Sequence, residues 1–179
     1  MSSTGQQQVL CIVRNEGGTE RDFDILPAAT EEAYLRAYPE ERRSHAFLQF
    51  CREGDVDAIL ALIRDDGEDA DLGEEDEQDI LRYTGTFEGL GGSGLHVAVR
   101  YQREEVAWLL LALASDLDWS QFPPIVLQAM DSLGVSKADR RATPDIRTLR
   151  DEKDRTAAAV AEEVGKPWTQ WLEDGRLIA

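Results

Sequence analysis

Ten carboxylates fall within the fifteen residues from Asp65 to Asp79, and no Lys or Arg stands among them. A segment of this kind can hold cations, either a metal ion or the Arg and Lys side chains of a partner. It lacks the spacing of an EF-hand loop, in which alternating carboxylates and a Gly lead to a closing Glu, so calcium is not expected. Two readings remain: a solvated insertion that keeps the chain soluble, or an acidic loop that engages a basic protein segment. In the second reading the contact centres on Glu74, Glu75, Asp76 and Glu77. Elsewhere the reactive residue types are sparse. The two histidines, His45 and His96, and the two cysteines, Cys11 and Cys51, have neither nucleophile-and-base nor zinc spacing, and no G-x-S-x-G is present. The glycine-rich run Gly89-Leu90-Gly91-Gly92-Ser93-Gly94 is followed by no Lys and has acidic surroundings that would repel a phosphate. It reads better as a tight turn entering a helix. No catalytic group, cofactor or metal is expected.

The chain around these residues has 179 residues, 42% apolar, and a formal charge of −17. That length suits one domain with a real core. Such acidity repels nucleic acid and anionic membrane and favours basic protein partners. The start, Met1 to Gln8, has no basic-then-apolar signal layout. The longest apolar run, Val106 to Ala114, is far short of the roughly 18 residues of a membrane span. A soluble intracellular protein with reduced thiols is expected, cytoplasmic or nuclear and monomeric on its own.

Val9 to Val13 is an apolar run suited to a strand, Asn15-Glu16-Gly17-Gly18 supplies turn chemistry, and Asp22 to Ile25 alternates. These predict an N-terminal β-hairpin, which must pack on helices because isolated hairpins are marginal in water. Thr30-Glu31-Glu32 caps a helix over about Glu31 to Ala37, ending before Pro39. Residues 1–40 therefore form a hairpin and helix, and 41–179 a helical domain carrying the 65–79 insertion.

Within the helical domain, Gly92-Ser93-Gly94-Leu95-His96-Val97-Ala98-Val99 and Glu104-Glu105-Val106-Ala107-Trp108-Leu109-Leu110-Leu111 predict two helices joined at Gln102-Arg103. Phe47, Phe50 and Cys51, then Val56, Ile59, Leu60 and Ile63 beyond Gly54, predict an earlier pair with Leu48 at the position of His96. Thr156, Ala159, Ala161, Gly165, Trp168, Trp171 and Leu172 predict a later one. The central unit resembles the ankyrin repeat, whose core runs T-P-L-H-x-A-A, then Gly, then E-V-V-x-L-L. The outer units are degenerate, as terminal repeats are expected to be. The spacing is irregular: His45 to Ser93 is 48 residues and Ser93 to Thr156 is 63, against a period of about 33. A worn repeat around Pro123 to Gly134 would fit the longer gap, and Asp145-Ile146-Arg147 resembles the repeat's β-turn finger.

The resemblance implies a mainly α fold, an irregular ankyrin-type stack of helix pairs with a short N-terminal β-hairpin. It assigns His96 to ordering the stack through backbone groups of the neighbouring turn, and His45 to a surface or capping position. Arg100 and Tyr101 fall just before the inter-helix turn, where ankyrin proteins present variable residues to partners. Trp108 falls at an outward position, so it is either covered by an inserted segment such as Pro123 to Leu133 or exposed as an aromatic anchor. The function expected is non-catalytic binding of a basic protein partner, as adaptor, assembly factor or escort. The alternative is a constitutive structural subunit of a large multiprotein or ribonucleoprotein complex.

Overall fold

The structure, a computed structural model, describes residues 10–15, 18–24, 41–64, 79–87, 90–137 and 143–179. The chain divides into two compact units, 1–42 and 43–179. In the first, β1 (Leu10–Asn15) pairs antiparallel with β2 (Gly18–Asp24), Asn15 opposite Gly18 and Leu10 opposite Asp24. The register shifts between Cys11 and Val13. This is the predicted hairpin; the helix predicted at Glu31 to Ala37 lies outside the described residues.

The described part of the second unit is mainly helical. Its first pair is α1 (Glu41–Glu53) and α2 (Val56–Arg64). The chain reverses at Gly54, whose φ of +86° suits a residue without Cβ, and whose N–H reaches the Phe50 carbonyl at 2.9 Å. Asp55 restarts the helix by accepting the Ala58 N–H at 2.9 Å. Phe47, Leu48, Cys51, Ile59 and Leu60 are buried, while Phe50, Val56 and Ile63 are partly buried against the core. The acidic insertion at 65–78 lies outside the described residues. Its last carboxylate, Asp79, caps a short 3-10 turn (Ile80–Arg82) and pairs with Arg82.

The glycine-rich run is not the tight turn expected from sequence. Leu90–Ser93 is a strand, β4, paired antiparallel with β3 (Thr84–Phe87). Glycine here serves close packing: a Cβ on Gly92 would lie 2.9 Å from His96 Cβ, and one on Gly94 2.7 Å from the Phe47 ring. The hairpin leads into α3 (Gly94–Arg100) and then α4 (Glu104–Ala114), the two helices predicted on either side of Gln102-Arg103. All residues of α4 from Val106 to Ala114 are buried, which makes it the axis of the core. Glu104 and Glu105 sit in its first turn, where carboxylates oppose the positive end of the helix dipole.

After a 3-10 turn (Trp119–Gln121) comes α5 (Pro124–Ser132). Among the described residues no second helix follows it to complete the pair that a hidden repeat would need. Asp145-Ile146-Arg147 does not form a β-turn finger. Asp145 caps a 3-10 turn (Ile146–Thr148) that buries Arg147 against Asp145 and Asp116, with Arg147 Nη1 donating to the Ile178 carbonyl at 2.6 Å. The last pair is α6 (Ala157–Val164), capped by Thr156, and α7 (Trp168–Glu173), with Gly165 between them at φ +78°. The helix α3 packs on α4 within its own pair and on α6 of the next, and α2 touches α4. Among the described residues no helix is long and apolar enough to cross a membrane.

Candidate protein-interaction surface

His96 joins two successive helix pairs. Its Nδ1 lies 3.2 Å from the Ser93 N–H and 2.8 Å from Ser93 Oγ, and its Nε2 lies 2.9 Å from the Arg155 carbonyl, just ahead of α6. The backbone donor at Nδ1 places the ring proton on Nε2, so a neutral imidazole satisfies both ends. Burial lowers the pKa of His96, because the interior disfavours imidazolium, and the charges of Arg100 and Arg155 add to this. The Arg155 carbonyl and Asp151 oppose it. His96 thus bonds backbone groups on both sides of the boundary between two helix pairs.

Asp151 lies beside it. Burial alone would raise its pKa, but the Arg155 guanidinium and the N–H groups of Arg155 and Lys153 donate to its carboxylate and hold it at about 2. Arg100 Nη2 is also 3.9 Å from Asp151. Arg100 is thus half-buried and committed to an internal carboxylate. Tyr101 is 36% exposed, with the Arg52 guanidinium 5.4 Å from its ring centroid.

The three inter-helix turns lie along one edge. Arg103 Nε donates to the Arg52 carbonyl at 2.8 Å, linking the first turn to the second, and Gln102 Nε2 donates to the Lys166 carbonyl at 3.3 Å, linking the second to the third. Gln102 sits at the tip with φ +57°. In this edge Tyr101 is the large apolar group, and Arg52, Arg103 and Lys166 alternate with the exposed carboxylates of Glu53, Asp55 and Glu104.

Trp108 is not an exposed anchor. It is 7% exposed, with ring centroids 4.2 Å from Trp171 and 5.1 Å from Phe122 and the Arg176 guanidinium 5.1 Å above it. The cover comes chiefly from the last helix and the 3-10 turn ahead of α5, because α4 is central enough to be packed on its outward side as well. His45 is buried, which corrects the surface or capping placement. Glu74, Glu75, Asp76 and Glu77 lie outside the described residues. Burial pushes the Cys51 thiol up and leaves it unreactive. Among the described residues no group of three or more His, Cys, Asp or Glu could hold a metal ion.

Sequence reasoning missed Asp151, Arg147 and Arg155. Each looks like a surface charge in a polar stretch, and only the spacing of Asp151 to Arg155 hinted at a local pair. No family model matches this chain, and no curated protein and no solved structure matches it significantly.

Proposed function

We propose that this chain is a non-catalytic protein-binding module, built as a short irregular ankyrin-type stack, that acts as adaptor, assembly factor or escort for a basic protein partner. The observation that carries this reading is the alignment of three helix pairs by turn-to-turn hydrogen bonds at one edge and by His96 across the pair boundary. Stacked helix pairs leave an extended surface for partners, whereas a reaction would need convergent reactive groups. The formal charge of −17 supports a cationic partner.

In this reading the acidic insertion, through Glu74, Glu75, Asp76 and Glu77, attracts the partner, and Tyr101 on the turn edge supplies a packed contact. Purification of the tagged protein from its native cells at low and high salt, with mass spectrometry of what co-purifies, tests it. The screening length falls from about 10 Å at 0.1 M salt to about 3 Å at 1 M. A Lys- and Arg-rich partner should therefore be held at low salt and lost at high salt. An assembly that persists at high salt would contradict the escort role and favour the constitutive subunit.

A further inference from the structure

The outer faces of α2, α4 and α5 enclose a groove of about 590 Å³. Trp108, Leu109 and Met130, all buried, line its base. Ile125 lies on its α5 side and is 76% exposed, the most exposed large apolar residue described. Ile125, Ala129 and Leu133 line the groove at helical i, i+4 and i+8 spacing, so α5 turns one continuous apolar face to it. The charged residues of the lining are Asp57, Glu104 and Glu105, all carboxylates.

The first turns of α2 and α4 account for acidic residues at these places, since carboxylates stabilise helix N-termini. That does not account for the lack of compensation. None of the three carboxylates forms an ion pair with a described residue, although Arg64 and Arg103 are close by in sequence. Arg103 donates to the Arg52 carbonyl, and Arg64 to the carbonyl of Leu133 at the α5 end of the groove, so the hydrogen bonds of both cations go to backbone carbonyls. An apolar channel with an uncovered Ile and three carboxylates that have no ion pair among the described residues is complementary to a segment that carries apolar side chains and cations together. Amphipathic helices dock in this way, by side chains at i, i+3, i+4 and i+7. The stems of Lys or Arg can cover apolar surface while their heads reach the acids.

We propose that this groove is a docking site for a short amphipathic helix of a partner protein, whose apolar side chains seat between Trp108 and Ile125 and whose flanking Arg or Lys residues pair with Asp57, Glu104 and Glu105. It rests on the protein-binding reading and adds a second site, apart from the insertion and the turn edge.

The test uses the full chain and a fluorescent synthetic helix of Leu, Ala and Arg, with Leu at i, i+3, i+4 and i+7, beside a counterpart carrying Glu in place of Arg. Fluorescence anisotropy should show binding of the Arg peptide alone, and the Ile125 methyl resonance should shift as it binds. Ile125→Asp, at an exposed position that folding does not need, should weaken binding about tenfold or more, the scale of an interface anchor. Glu104→Gln with Glu105→Gln should weaken it and flatten its salt dependence. Equal binding of both peptides, an unmoved Ile125 methyl, or full affinity in Ile125→Asp would overturn the proposal. So would a concentration-dependent dimer abolished by Ile125→Asp, which would make the groove a contact between copies. The assay needs no native partner, so its failure leaves the basic-partner reading to its own test. Peptide binding lost on neutralising Glu74 to Glu77 but kept in Ile125→Asp would overturn the groove alone.

Discussion

His96 is held neutral between Ser93 and the Arg155 carbonyl, so protonation must break a contact that links two helix pairs. Its folded-state pKa is lowered from 6.5, chiefly by burial, so as pH falls the unfolded chain takes the proton first. The stability it contributes is fully present above about pH 6.5 and is lost as pH falls below that towards the folded-state value. Urea unfolding should therefore show stability falling from pH 7 to pH 5. His96→Gln should lose part of that dependence and, at pH 7, cost about 1–3 kcal/mol by leaving buried polar groups poorly matched. An identical pH slope in the variant would remove His96 from this role. Asp151, held at about 2, acts in a lower window, adding stability above about pH 4 that fades as pH falls towards 2. The motif position of His96 was legible in the sequence, whereas its acceptor, 59 residues away, was not. Nor was Arg147, whose partners include groups 31 residues distant in both directions. A buried charge is recognised by what folds onto it, and sequence periodicity carries no trace of that.

The helices α3 and α4 were legible because local and tertiary preferences agree there: Ser93 caps, Gln102 turns, and the apolar residues recur with helical period. Leu95, Ala98, Val106, Leu109 and Leu110 are all buried, as that period predicts. Leu110→Ala should lower stability by about 2–5 kcal/mol in denaturant titration, the range for a truncated buried Leu. A cost below about 1 kcal/mol would mean that α4 is not the axis of the core. The strand β4 was illegible for the opposite reason. Its Leu-Gly-Gly-Ser has poor strand propensity and is extended because Thr84–Phe87 pairs with it, while Gly92 and Gly94 let the chain pass close to His96 and Phe47. In α5 the helical period was visible, but nothing in it revealed that the helix would stand unpaired with Ile125 uncovered.

The whole molecule combines a regular local unit with irregular intervals. Pairs that begin at Glu41, Gly94 and Ala157, 53 and 63 residues apart, with a hairpin, a lone helix and three 3-10 turns described between them, give the chain its own spacing of elements. Helix pairs of this kind can still align, because each contact is between neighbours and tolerates insertions that leave at the surface. The net charge acts at the same scale. Under the proposed function it would set how fast a cationic partner arrives, while a packed contact at Tyr101 would set how long that partner stays. The most direct measurement is stopped-flow association of this protein with its purified partner across a salt series. It should compare the natural chain, a variant with Glu74→Gln, Glu75→Gln, Asp76→Asn and Glu77→Gln, and Tyr101→Ala. The account predicts slower association and a flatter salt dependence on neutralisation, and faster dissociation with little change in association for Tyr101→Ala. An association rate at low salt that is unchanged by neutralisation would contradict the escort reading and leave a constitutive subunit in its place.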